Sequence, residues 1–260
     1  MNLIAHDNWA AADILSAAIS VKDICKSFKP GRLILDHVSL EVAPSSLVAL
    51  IGANGTGKST LLRLIPRLIE PDKGYVAIFG QRLEKSGKQL RQVRKRVGFV
   101  FQKHNLVGRL SALTNVVHGA QARGYSFRAW GHSLAPQLLR NEGMQCLERV
   151  GLADVAGQRA DSLSGGQSQR VAIARALMQQ SDIVLADEPA ASLDPQAGDE
   201  VMRLFLSLMR QERKTVVFTS HNLNHALDYA DRVIGLSEGK VHIDVQSAGL
   251  REIDLRGLYV

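Results

Sequence analysis

The chain has 260 residues, 45% of them hydrophobic and 22% charged, with a formal net charge of +7. That length and balance suit one large α/β domain, or a domain with a subdomain, and exclude a fibrous or low-complexity chain. No apolar run is long enough to cross a bilayer, and Cys25 and Cys146 lack metal-ligand spacing, so a soluble intracellular protein with reduced thiols is expected.

Residues 1–18 form an N-terminal extension without a basic start or a long apolar core, so they do not read as a secretion signal. Strands are predicted at 19–25 and 33–42, separated by a polar turn containing Pro30 and Gly31. This close spacing, repeated near 75–79, points to an antiparallel sheet attached to the main core. The apolar run 47–51 reads as a buried strand, and a helix is predicted to begin at 60–65, with Pro66 stopping it early.

Between that strand and helix lies Gly52-Ala53-Asn54-Gly55-Thr56-Gly57-Lys58-Ser59, the pattern G-x-x-x-x-G-K-S of a phosphate-binding loop. Its glycines allow a tight turn in which successive N–H groups point at phosphate oxygens, aided by the positive end of the helix. Asn54, Thr56 and Thr60 belong to the same binding stretch. Lys58 is expected to reach the β- and γ-phosphates, and Ser59 to ligate Mg²⁺. A nucleoside triphosphate with magnesium is therefore the first chemistry the chain implies.

Lys85, Lys88, Arg91, Arg94, Lys95 and Arg96 form the densest basic stretch. It reads as a solvated helix face, or alternatively as a surface lying near anionic lipid. The overall positive charge implies an anionic partner without choosing among nucleotide, nucleic acid and headgroup.

After a strand at 97–101, no strand is predicted over about 105–161. Helical stretches at 113–119 and 137–150 flank a loop-like segment, 124–136, that carries Tyr125, Phe127 and Trp130. This reads as an inserted helical subdomain. A helix over 170–178 follows Leu163-Ser164-Gly165-Gly166-Gln167. Glycines at a helix start expose N–H groups to an anion, but the same residues also suit an ordinary N-cap.

Strand 183–186 ends in the acids Asp187 and Glu188. A strand tip would place Asp187 beside the phosphate loop to hold the Mg²⁺ shell, while Glu188 would polarise a water for attack on the γ-phosphate. A helix over 195–210 follows, with an apolar stripe of Val201, Leu204, Phe205 and Leu208. Asp194, before Pro195, suits its N-cap. Strands at 215–219, 232–236 and 241–244 complete the domain, leaving a tail at 245–260. The fold class is α/β, a mostly parallel sheet with helices, an antiparallel β-subdomain and a helical insertion.

The ordered set of phosphate loop, Gln102, Leu163–Gln167, Asp187-Glu188, Ser192-Leu193-Asp194 and His221 resembles an ABC-type ATPase over residues 19–244. The resemblance implies a dimer with a second copy, in which each ATP touches the phosphate loop of one chain and Ser164, Gly165, Gly166 and Gln167 of the other. It implies that Phe28 stacks on adenine and that Gln102 senses Mg²⁺ and water. It further implies that His221 bonds the γ-phosphate and that Asp194 contacts the opposite nucleotide site. An isolated Phe is otherwise a core residue and an isolated His a structural one.

Residues 101–111 with 113–116, the aromatic-bearing stretch 124–136 and Arg67 resemble the ATP-binding subunits of phosphonate importers. Pro66 and Ser168 depart from that pattern. This second resemblance implies ATP hydrolysis coupled to import at the cytoplasmic face of the membrane, with transmembrane permease subunits and, indirectly, an external binding protein. No nucleic-acid partner is expected. The competing readings are a soluble ABC ATPase acting on a macromolecule, an importer of another substrate, and a non-hydrolysing nucleotide-binding module.

Overall fold

The computed structural model describes residues 17–125 and 135–255. Most of the N-terminal extension, Phe127, Trp130 and the last five residues of the tail lie outside them. The strands are β1 (Ile19–Lys29), β2 (Arg32–Val42), β3 (Leu47–Ile51), β4 (Lys73–Ile78), β5 (Gln81–Arg82), β6 (Val97–Val100), β7 (Ile183–Ala186), β8 (Thr215–Thr219), β9 (Arg232–Ser237) and β10 (Lys240–Gln246). The α-helices are α1 (Lys58–Leu64), α2 (Lys88–Lys95), α3 (Ala112–Val117), α4 (Gln137–Arg149), α5 (Gly165–Gln179), α6 (Pro195–Gln211), α7 (Leu223–Tyr229) and α8 (Glu252–Leu255).

Strands β1, β2, β4 and β5 make an antiparallel sheet in the order β2-β1-β4-β5, with Ile19 opposite both Val42 and Ile78. The other six are ordered β10-β9-β3-β8-β7-β6, parallel except for β10, which returns beside β9. Alternation along these strands feeds two separate cores. Leu47, Ala49 and Ile51 of β3 join Val184, Ala186, Val216 and Phe218 against the helices α3 to α7. Val48 and Leu50 point the other way, with Ile183, Leu185 and Val217, toward α1 and the antiparallel sheet. A sheet buried on both faces explains why its strands read as continuous apolar runs.

The boundaries that moved did so for local reasons. Helix α1 ends at Leu64 because Pro66 cannot continue it, and Arg67 then turns the chain at φ 54°. The Arg67 carbonyl accepts from Arg94 Nη2 at 2.6 Å, and Pro66 O from Arg94 Nε at 3.0 Å. Arg94 thus serves the fold, and Arg96 pairs with Asp182 at 2.6 Å, while Lys85, Lys88, Arg91 and Lys95 are exposed. Helix α5 begins five residues before the predicted start because Ser164 closes a capping box with Gln167. Between β6 and β7 the described residues hold helices and 3₁₀ turns, joined by a single bridge, Ser111 to Arg159.

Candidate functional site

The loop after β3 is shaped by two glycines that no other residue fits. Gly52 has φ 141°, and a Cβ there would lie 2.1 Å from Leu236 O. Gly57 has φ 104°, and its Cβ would meet Leu35 Cδ2 at 2.6 Å and Ile34 O at 2.8 Å. Both positions combine a left-handed backbone with close packing, so a side chain would displace the loop from β9 and β2. Thr56 Oγ1 donates to Ala53 O at 2.9 Å and closes the turn.

Lys58 is buried, and its Nζ donates to Gly52 O at 2.8 Å and Ala53 O at 2.9 Å. Burial pulls its pKa down, while the charges of Glu188 and Asp187 push it up. The ammonium therefore folds back onto its own loop, next to two carboxylates.

Parallel pairing of β7 between β6 and β8 carries Asp187 to the sheet edge where the loop lies. Ser59 Oγ donates to Asp187 Oδ1 at 2.7 Å, and Thr219 Oγ1 approaches the same oxygen at 3.4 Å. Arg63 Nη2 is 3.4 Å from Asp187 Oδ2. Glu188 is held at φ 49°, with its N–H donating to Thr219 Oγ1 at 2.8 Å. Its side chain meets His221, whose Nε2 lies 2.6 Å from Glu188 Oε1. Segments distant in sequence thus converge at one point.

A cavity of about 300 Å³ opens over the loop, lined by Phe28, Asn54, Gly55, Lys58, Ser59 and Glu188 among others. Phe28 is 59% exposed on this rim, with Lys26 Nζ 5.5 Å from its ring centroid, so it is not a core residue. Ser59 hydroxyl and Asp187 carboxylate are hard oxygen donors, the set that suits Mg²⁺. Among the described residues, Cys25, Asp36 and His37 also bring ligand-type atoms within 4.8 Å of one another. Asp36 there is paired with Lys240, and His37 with Asp23, so these groups already have partners.

Two predicted groups lie elsewhere. Gln102 is exposed in a cleft of about 440 Å³ shared with His104, Ser168 and Ser192, which has no lining residue in common with the loop cavity. Ser164, Gly165, Gly166 and Gln167 border a depression of about 540 Å³ with Asp194, which shares no lining residue with the loop cavity. Within this group the side chains cap helices: Ser164 accepts from Gln167 N–H at 3.2 Å, Gln167 Oε1 from Ser164 N–H at 2.9 Å, and Asp194 from Ala197 N–H at 3.0 Å. The glycine N–H groups are not consumed by those caps.

Sequence reasoning overlooked Thr219 and Arg63. A hydroxyl ending an apolar strand was the available signal for Thr219, but only the pairing of β8 with β7 puts it beside Asp187.

A family profile described as "ABC transporter" matches residues 35–191. The "Phosphate-import ATP-binding protein PhnC" of Mycolicibacterium smegmatis is 45% identical over 260 residues, covering 100% of this chain and 95% of the relative. The "Phosphonates import ATP-binding protein PhnC 2" of Pseudomonas syringae is 44% identical, covering 94% and 90%. Among solved structures, a dimeric ATP-binding cassette in a post-hydrolysis state bound to ADP and Pi is similar, with TM-score 0.77 and 34% identity. That match covers 89% of this chain and 100% of the cassette.

Proposed function

The chain belongs to the ABC transporter family, and from that premise we propose that it is the ATP-hydrolysing subunit of an importer of phosphonate or a related phosphorus oxyanion. The observation that carries the hydrolytic reading is the convergence of Lys58, Ser59, Asp187, Glu188 and His221 on one loop. Relatives named for phosphonate and for phosphate import support the substrate class, since a phosphorus oxyanion is the chemistry they share.

Within that reading, loop N–H groups and Lys58 bind the β- and γ-phosphates, and Phe28 offers a face for the base. Ser59 and Asp187 would hold Mg²⁺, which when bound neutralises charge on the phosphate oxygens. Glu188 orients the attacking water and accepts its proton, and His221 bonds the terminal phosphate oxygen.

The separation of the loop cavity from the Ser164–Gln167 depression supports a composite site completed by a second copy. Two of the similar cassette structures are described as dimeric, which supports the same arrangement. ATP would close that dimer by differential contact, and hydrolysis would release it. Gln102 would join the site to a helical unit at about 105–161 that meets the permease. No described helix is long and apolar enough to cross a membrane, so transport calls for separate membrane-spanning partners at the cytoplasmic face.

The test is phosphate release by the full chain with Mg·ATP, alone and co-expressed with its permease, together with ligand specificity of the associated binding protein. Absence of turnover in both preparations would remove the hydrolytic reading. Strict preference for a ligand lacking phosphorus would remove the substrate class.

A further inference from the structure

His225 lies buried on α7, and both nitrogens of its imidazole are engaged. Nε2 is 2.7 Å from Asp199 Oδ1 on α6, and Nδ1 is 2.9 Å from Ser220 Oγ. An ionised carboxylate only accepts, so the hydrogen of that first bond sits on Nε2. Ser220 Oγ also accepts the Asn222 N–H at 3.1 Å and lies 3.2 Å from the Asn222 carbonyl. The Asn222 amide reaches Asp199 Oδ1 at 3.4 Å. His221 is therefore flanked on both sides by residues tied to the same imidazole–carboxylate pair. His221, Glu188, Asp199 and His225 line one cavity of about 410 Å³.

We propose that Asp199 and His225 are positioning residues for hydrolysis, acting as a relay that sets His221 against Glu188. The proposal rests on the hydrolytic reading above. A buried imidazole bonded at both nitrogens has one orientation, which fixes the Ser220 hydroxyl and, through it, the Asn222 backbone. Asp199 sits in the second turn of α6, the helix that Asp194 caps directly after Ser192 and Leu193. Movement of the Ser192-Leu193-Asp194 segment that carries α6 with it would thus be transmitted to His221 through two hydrogen bonds. Neither relay residue touches the phosphate loop; their effect reaches the reaction only through the His221 segment.

Steady-state hydrolysis by the full chain tests this with Asp199→Ala, His225→Ala, the double variant, Asp199→Asn and His221→Ala. Asp199→Ala and His225→Ala should each lose about tenfold in kcat with KM for ATP within about twofold. The double variant should be no slower than the slower single, because groups acting as one unit are not additive. Asp199→Asn, which keeps an acceptor oxygen, should recover most of the rate. Normal kcat in both single variants alongside an inactive His221→Ala overturns the relay, as does a multiplicative loss in the double variant or a change in KM alone. Should His225→Ala fail to fold, Asp199→Ala carries the test, because that side chain is 49% exposed and its loss leaves the core intact. A wild-type chain without turnover would overturn the hydrolytic reading itself, an outcome separate from a failed relay.

Discussion

Ser59 Oγ donates to Asp187 Oδ1 across 2.7 Å, joining residues 128 positions apart in the chain. One lies in the first turn of α1 and the other at the tip of β7, two elements linked through the central sheet. Nearby, burial holds the Lys58 pKa below its usual value, and the charges of Glu188 and Asp187 offset part of that. In the proposed reading, the same few atoms would serve cation binding, phosphate binding and the placing of the general base.

Glu188→Gln should lower ATP turnover by about 10²-fold or more, since a positioned base contributes on that order. The amide keeps the size of the side chain and the backbone bond to Thr219. ATP binding should persist, and the variant should elute as an ATP-dependent dimer in size-exclusion chromatography. Wild-type turnover in this variant would refute the role of Glu188.

Lys58→Ala should weaken Mg·ATP binding by about 10–150-fold, the range for losing a charged hydrogen bond of about 1.5–3 kcal/mol. The ammonium bonds the neutral carbonyls of Gly52 and Ala53, so charged phosphate oxygens supply the stronger partners. Calorimetric titration reads the change, and an unaltered Kd would exclude Lys58 from the phosphate site.

Asp194→Ala should destabilise the fold by about 1 kcal/mol, the usual cost of removing an N-cap, whereas Asp194→Asn should be nearly neutral. The carboxylate accepts the Ala197 N–H at 3.0 Å, and an amide oxygen does the same. Denaturant midpoints measured without nucleotide isolate this effect from any contact across the dimer.

Cys146 should stay unreactive in the native chain. Burial is the largest cause of a thiol pKa raised to about 11, so the nucleophilic thiolate is scarce at pH 8. The linkage runs against stability at high pH: below the unfolded value, about 8.5, the thiol is neutral in both states and contributes nothing. Above it the unfolded chain ionises first, so stability falls as pH rises toward 11. Cys146→Ser should flatten that alkaline slope, and maleimide labelling at pH 8, followed by peptide mapping, should reach Cys146 only after denaturation.

Much of this architecture was legible in the residues because local chemistry dictates it. The apolar runs of β3, β7 and β8 have the bounds the pattern predicts, and Pro66 ends α1 as proline must. Gly52 and Gly57 announce a loop that only a backbone without Cβ can form. Helix starts were less legible: α5 opens at Gly165 because Ser164 and Gln167 satisfy each other, a reciprocal bond that apolar periodicity does not register.

Taken alone, the sequence determined most strands and the longer helices, the phosphate loop and the types of residue available for chemistry, but not β5, α7 or α8. Those follow from periodicity, backbone sterics and side-chain pKa, all of which act over a few residues. Tertiary structure decided which groups meet. The order β3-β8-β7 placed Thr219 next to Asp187, the chain after β8 brought His221 to Glu188, and α6 brought Asp199 to His225. It also kept the Ser164–Gln167 turn in a different depression from the loop. Strand order and hydrogen bonds of long sequence separation arise from packing two cores on one sheet, and no short window of sequence carries that information.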